Sequence, residues 1–375
     1  MVNKVIFFTY GDSSDASTWS NVPYLFTKTL RDKGITVYDV NLAGNKWLRR
    51  FFDRIIVPVF SIFFPDHQYS FSRSRMLRLI NNYKIKNSVK KHSNADLCIF
   101  TNFDYYNKFT DIPTLLFCDW TYDVLINDRL KRKTYFFENW FLSQQKDAIV
   151  NAKYVISLFP ECAASIKNTY PTANVQYLGS NVINSMFTGI LNQDIIEVKK
   201  KSKEILFIGG EKYKDGAQKL VNAFTIFSKK NPNYKLNLIG IKSEWIKSTS
   251  TDILYHGYLR KDVEEENKRY YNLMLKANFV INPTPLWAGY SSMIEAMYFY
   301  TPVITTPYKD FVTEFGNNIK FGLYVDNDHI DNILDCMEKM IQTKNYEEMC
   351  LNAHQSVEKY SWENYTNKLL NLVNS

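Results

Sequence analysis

The sequence predicts an α/β protein made of two domains, and three observations lead there. Short apolar runs of continuous rather than alternating character recur over residues 5–10, 96–101, 114–118, 154–158, 205–208 and 279–281. Such runs are expected of parallel strands buried on both faces. They alternate with helical patterns, which makes βαβ units. Finally, 375 residues suffice for two cores of ordinary size, and the periodicity fades between 188 and 204 into a polar, lysine-bearing segment, KKKSKE, the best linker.

Composition bounds the function. Apolar content of 45% with 22% charged residues describes a soluble globular chain, and 16% aromatics, with 26 Tyr and 26 Phe, suit stacking surfaces. The balance of 46 basic against 38 acidic residues, +8, favours anionic partners such as phosphates or lipid headgroups. No continuous basic stripe points to nucleic acid. Five cysteines at irregular spacings, without a CxxC or Cys/His cluster, indicate neither a disulfide framework nor a zinc site. A reducing cytoplasm is the expected compartment. The N-terminus reads as a core strand rather than a signal peptide. The longest apolar run, 55–64, is too short to span a bilayer as a helix.

Taken in order, residues 5–10 form the first strand, ended by Gly11. A polar loop leads to a helix over 24–33, stopped by Gly34, and 35–40 is the second strand. Residues 46–91 are the most basic and aromatic part: KWLRRFFDRIIVPVFSIFF, then SRSRMLRL and KIKNSVKK. Basic residues flanking an aromatic-aliphatic run fit a segment lying on a membrane surface, with a peripheral location on the cytoplasmic face. A helix packed on its own domain with a solvated basic edge fits the same residues. The strand at 114–118 runs directly into Asp119. Ligands of open α/β sheets gather at the carboxyl ends of strands, so Asp119 is expected either to face a binding cleft or to be a solvated cap. A strand over 154–158 and a helix over 160–170 follow. The second sheet starts at 205–208 and takes in KLNLIG, ILYHG, 279–281, 303–305 and 322–325; the last helix covers 362–373. Asp326-Asn327-Asp328 is formally a DxD metal motif, but it directly precedes a helical run, where Asp and Asn serve as N-caps.

The chain is organised around 279–306, FVINPTPLWAGYSSMIEAMYFYTPVITT. Strand, glycine loop and helix N-terminus present unpaired N–H groups and a positive dipole end to an anion. The pattern starts the helix at Ser291 or Ser292 and puts Glu295 in its first turn. From there Glu295 would accept hydrogen bonds from ribose hydroxyls while the N-terminus holds a phosphate. An ordinary βαβ unit with a solvated glutamate accounts for the same residues.

This stretch resembles the donor-binding signature of glycosyltransferase family 4, P-[ST]-x-x-E-x-F-G-x-x-x-x-E-A-M-A-x-G-x-P-V-I. Pro283, Thr284, Glu295, Ala296, Met297, Pro302, Val303 and Ile304 match. Gly289 and Tyr290 invert the usual Phe-Gly, and Trp287 stands where the family's first glutamate belongs. Near the start, WSNVPYLFTKTL resembles WSGTPYYLxxAL of one branch, which makes Gly11, Trp19 and Ser20 acceptor candidates; local packing of the tryptophan is the other reading. Asp119 and Thr121 match a D-x-[ST]. VQYLGSNVINSMF is similar to V-x-P-x-G-x-N-x-x-x-F through Gly179 and Asn181, with Phe187 two positions beyond the motif's phenylalanine. Relatives carry an Arg and a Lys that clamp the donor diphosphate where this chain has Gly210 and Asp215. Lys212 and Lys214 are the nearby substitutes, since a lysine reaches phosphate as a point charge from several backbone positions. Either would serve equally as a solvated loop lysine. HGYLRK resembles G-[FY]-[LI]-x-K, whose backbone meets the base, through Tyr258, Leu259 and Lys261.

The resemblance implies the GT-B fold: two Rossmann-like domains facing across a cleft. Residues 1–190 would take the acceptor, 191–355 the nucleotide-sugar donor, and 356–375 would cross back as a C-terminal helix. It implies retaining transfer from a nucleotide diphosphate sugar to a glycan or lipid-linked glycan, in polysaccharide or glycoconjugate biosynthesis. The donor is a co-substrate, and no metal or other cofactor is expected. The implied donor set is Gly209, Gly210, Lys212, Lys214, Tyr258, Leu259, Trp287, Gly289, Tyr290, Ser291, Ser292 and Glu295, with Lys214 and Asp119 in catalytic roles. Trp287 implies stacking on the sugar in place of hydrogen bonds. A non-catalytic GT-B subunit, or sugar-binding pseudoenzyme, would also explain Trp287 and the displaced clamp, and a GT-B nucleotide-sugar epimerase stays open. A nicotinamide-dependent oxidoreductase does not fit, because no G-x-G-x-x-G follows the first strand.

Overall fold

The continuous apolar runs become the strands of two parallel sheets. The computed structural model describes residues 1–285, 289–327 and 329–375, with the side chains of all of these but Asp128 and Arg129. The first sheet holds β1 (Lys4–Thr9), β2 (Thr36–Asn41), β3 (Leu97–Phe100), β4 (Thr114–Cys118), β5 (Tyr154–Ser157) and β6 (Val175–Gln176) in the order β2-β1-β3-β4-β5-β6. The second holds β7 (Glu204–Ile208), β8 (Lys235–Ile239), β9 (Ile253–Gly257), β10 (Phe279–Asn282), β11 (Val303–Thr305) and β12 (Gly322–Tyr324) in the order β12-β11-β10-β7-β8-β9. Central strands such as β3 and β10 are buried at every residue, so alternation is absent where helices cover both faces.

Two compact units result, Met1–Asn181 with Trp362–Ser375, and Val182–Ser361. The terminal helix Trp362–Asn374 belongs to the first unit. There Trp362 stacks on Phe26 at 5.3 Å and Tyr365 meets Phe117 edge-on at 5.9 Å. Among the described residues no helix is long and apolar enough to cross a membrane. All five cysteines are free thiols.

The expected linker is more structured than its polarity indicates. Within 188–204 a helix forms, Ile195–Lys201, and Lys199 on it is fully buried. Its ammonium donates to the Met274 carbonyl at 2.6 Å, the Ala277 carbonyl at 3.3 Å and Thr301 Oγ1 at 2.8 Å. Burial pulls its pKa down to about 7. The three acceptors come from residues more than seventy positions away, which is why composition alone reads this lysine as solvated.

Candidate functional site

In the second sheet the strand order reverses between β7 and β10, so the loops leaving their carboxyl ends diverge. Open parallel sheets bind ligands at such a switch point. β7 leads into Gly209 and Gly210, the short turn Glu211–Tyr213 and the helix Lys214–Lys230. β10 leads into Pro283 and Thr284, and beyond the undescribed Leu286, Trp287 and Ala288 the helix Tyr290–Tyr298 begins. Gly289 is its N-cap, at φ 67°. A Cβ there would stand 2.8 Å from Ser292 Oγ and 3.2 Å from the Ile208 carbonyl oxygen, so both conformation and space require glycine. Gly216 is equally tight: its Cβ would stand 2.3 Å from Thr284 Oγ1, which seats the Lys214–Lys230 helix against the loop after β10.

The left-handed cap starts the helix at Tyr290, one or two residues before the position the sequence pattern gave. Glu295 therefore lies in the second turn rather than the first. The amides of Ser292 and Met293 donate to the Gly289 carbonyl, at 2.8 and 3.0 Å. Ser292 Oγ also turns back onto that carbonyl, at 2.7 Å, while Ser291 Oγ accepts from Asn184 Nδ2 at 3.0 Å. Tyr290 is buried against Tyr308 and Phe311.

Glu295 is 2% exposed, and its carboxylate is enclosed. Lys261 Nζ donates to both oxygens, at 2.8 and 2.6 Å; the Tyr270 hydroxyl donates at 2.8 Å and the Tyr271 hydroxyl at 3.1 Å. Lys261 also donates to the Asn184 carbonyl at 2.9 Å and lies over the Tyr270 ring. Tyr271 OH in turn accepts from the Met186 amide at 2.6 Å. Burial, then the negative charge of Glu295, raises both phenols above their ordinary range and holds them as donors. A carboxylate has about four acceptor positions. Four bonds fill them, so a ribose hydroxyl reaches Glu295 only by displacing one of these partners.

Lys212, on the turn after β7, and Lys214, the first residue of the helix that follows, are exposed, with Lys212 Nζ 4.8 Å from the Tyr213 ring centre. After β9, Tyr258 is 65% exposed while Leu259 is buried. Trp287 lies outside the described residues, as does Asp328 of the DxD triplet.

In the first sheet the order reverses between β1 and β3. Gly11 follows β1, its amide donating to Asn41 Oδ1 at 3.2 Å. Trp19, Ser20 and Asn21 then take left-handed φ values of 41°, 53° and 69° in succession. This conformation costs about 1–2 kcal/mol per non-glycine residue, and strain of that kind gathers at binding loops. Trp19 packs edge-on against Phe117 of β4 at 6.1 Å, while Ser20 is exposed. Asp119 follows β4, half-buried; its Oδ1 accepts from the Trp120 amide at 3.0 Å and from Cys118 Sγ at 3.2 Å. Thr121 acts as a helix cap, accepting from the Val124 amide at 3.3 Å. The acceptor candidates thus gather at the carboxyl ends of β1 and β4, and the described donor candidates at those of β7, β9 and β10.

A family model described as glycosyl transferases group 1 matches residues 191–357, the stretch that contains every donor-side residue above. Residues 191–357 are a group 1 glycosyltransferase domain. No curated protein matches the chain in sequence. Among solved structures it is similar to WaaG, a glycosyltransferase involved in lipopolysaccharide biosynthesis, with TM-score 0.66 and 14% identity over 99% of this chain and 100% of that one. It is likewise similar to sucrose-phosphate synthase from Thermosynechococcus elongatus, TM-score 0.65 and 14% identity, over 99% and 98% of the two chains. A mutant of S. aureus TarM in complex with fondaparinux, alpha-GlcNAc-glycerol and UDP gives TM-score 0.56 and 16% identity over 78% of this chain; the match spans 58% of that one. The fold is GT-B.

Lys261 matches a motif in the sequence but carries no role there, and the structure places it on Glu295. Tyr270, Tyr271 and Asn184 were missed. Their signal is faint: a YY pair midway along the helix Glu264–Lys276, and an asparagine three residues past the matched Asn181.

Proposed function

We propose that the chain transfers a sugar from a nucleoside diphosphate donor to a glycan or lipid-linked glycan acceptor with retention of configuration, as a peripheral enzyme of polysaccharide or glycoconjugate biosynthesis. One observation carries this reading: the Gly289 helix N-terminus and Glu295 stand together at the switch point of a group 1 domain. Between Tyr290 and Glu295 the helix rises ~7.5 Å at 1.5 Å per residue, a distance a nucleoside diphosphate bridges. The Ser291 amide and the helix dipole meet phosphate, and Glu295 takes a ribose hydroxyl in exchange for part of its bonding to Lys261, which is 13% exposed. Lys212 or Lys214 neutralises the departing diphosphate as an oxocarbenium-like sugar forms, and Asp119 orients the acceptor or the sugar; positioning and charge stabilisation do most of the chemistry. No metal is needed in this scheme. The UDP and α-GlcNAc-glycerol bound to TarM support a nucleotide-sugar donor and a glycan acceptor.

Calorimetric titration with UDP, GDP and ADP, followed by a transfer and hydrolysis screen of their sugars, tests the reading. At least one diphosphate should bind and its sugar turn over. Trp287→Ala should abolish that turnover if the indole stacks on the sugar. Binding without turnover of any sugar, with activity gained in Trp287→Glu, would make the chain a non-catalytic relative.

A further inference from the structure

The segment 46–63 of the first unit is apolar on two faces. It runs as a helix, Lys46–Phe51, a π turn, Phe52–Ile56, and a second helix, Val57–Phe63. The inner face packs on its own unit, with Phe52 5.7 Å from Phe71 and Phe60 stacked on Tyr69 at 4.5 Å. The outer face carries Trp47, Phe51, Ile55, Val59 and Phe63, each 49–75% exposed. A surface helix ordinarily turns a polar face outward. In a pure α-helix a four-residue spacing overshoots the turn by ~40° per step and would wrap this row around the rod. A π turn advances through less angle per residue, so Phe52–Ile56 takes back part of the drift and keeps the ridge on one side.

The ridge is held in place at its far end. The Tyr135 hydroxyl donates to the Pro65 carbonyl at 2.8 Å, and Arg132 donates to the Asp66 carbonyl at 2.9 Å and to both oxygens of Glu138. Phe64 meets Phe136 at 6.0 Å, and Phe136 is itself 74% exposed, which continues the apolar surface.

Charge selects the occupant. Residues 46–64 carry Lys46, Arg49, Arg50 and Arg54 against Asp53 alone, and Asp53 lies 3.5 Å from Arg49. A second copy would set these cations against themselves. We propose that the ridge docks on an anionic lipid bilayer, with Trp47, Phe51, Ile55 and Phe63 entering the acyl boundary and Arg49, Arg50 and Arg54 at the headgroups. The apolar face supplies insertion, and the arginine stems reach outward from it with their charge in the wet layer.

The full chain is sedimented with vesicles of phosphatidylcholine, and with vesicles of phosphatidylcholine and phosphatidylglycerol in equal parts. Wild type should bind the second and not the first, less so as salt rises. Arg49→Gln/Arg50→Gln/Arg54→Gln should bind about a hundredfold more weakly. Trp47→Ser/Phe51→Ser/Phe63→Ser should not sediment, while keeping the wild-type circular dichroism and unfolding midpoint. Acyl-brominated lipid should quench wild-type tryptophan fluorescence more than that of Trp47→Phe. Equal partitioning onto both vesicles, or none onto either, overturns the proposal. So does retained binding by the serine variant, or a dimer in solution that this variant abolishes. These assays contain no nucleotide, so their failure leaves the transfer reading standing, and a failed transfer screen leaves this one standing.

Discussion

Glu295 and Lys199 are both buried ionisable groups, and each dictates its own test. Glu295 neutralises Lys261 inside a cage of phenols. Removing one partner of a buried pair costs about 3–5 kcal/mol. Glu295→Ala should therefore lower the denaturation midpoint of the second unit, and Glu295→Gln, which keeps the shape, should lower it less; equal midpoints for wild type and Glu295→Ala would contradict the enclosure. Lys199 has no carboxylate among its hydrogen-bond acceptors. Its folded pKa of about 7 lies below the ordinary 10.5. The unfolded chain thus binds a proton that the folded chain lacks between those values, and stability contributed by this group is lost as pH falls from about 10.5 to 7 and is flat below. In Lys199→Met this dependence disappears, so wild type should gain on the variant by a few kcal/mol as pH rises from 7 to 10. Parallel pH profiles of the two unfolding midpoints would remove the claim. Neither residue's burial was legible in the sequence. The partners of Glu295 stand 24 to 34 positions away and those of Lys199 farther still, whereas composition treats every charge as solvated.

At the scale of elements, strands were the most legible because doubly covered parallel strands read as continuous apolar runs. Helix starts were less so. The Tyr290–Tyr298 helix begins on a left-handed glycine, which leaves no Ser/Thr/Asp signature at its cap. Gly289→Ala should strain this start, costing about 1–2 kcal/mol for the backbone alone, and should weaken diphosphate binding by displacing the Ser291 amide. Unchanged affinity in a folded variant would detach the helix N-terminus from the donor. The Trp19–Asn21 turn offers the opposite experiment. Ser20 is exposed and left-handed, so Ser20→Gly should stabilise the fold by about 1 kcal/mol after the added chain entropy is counted, and so raise the unfolding midpoint. A lowered midpoint would mean that the backbone there is unstrained. The three consecutive left-handed residues had no sequence signal, since none of them is glycine.

For the molecule as a whole, two parallel sheets with order reversals after β1 and β7 set where ligands can bind, and the proposed donor site lies at the second of these. The resemblance points to this site because its signature spans one continuous stretch. It did not disclose that Lys261, Tyr270 and Tyr271 fill the acceptor positions of Glu295. On the proposed reading this carboxylate exchanges its protein partners for a nucleotide ribose. Titration of wild type and Glu295→Gln with the diphosphate that binds best tests it most directly. A charge-assisted hydrogen bond is worth about 1.5–3 kcal/mol, so the variant should bind roughly ten- to a hundredfold more weakly while its circular dichroism stays that of wild type. Equal affinity in a folded Glu295→Gln would show that Glu295 only pins Lys261, Tyr270 and Tyr271 together, and the donor site would have to lie elsewhere.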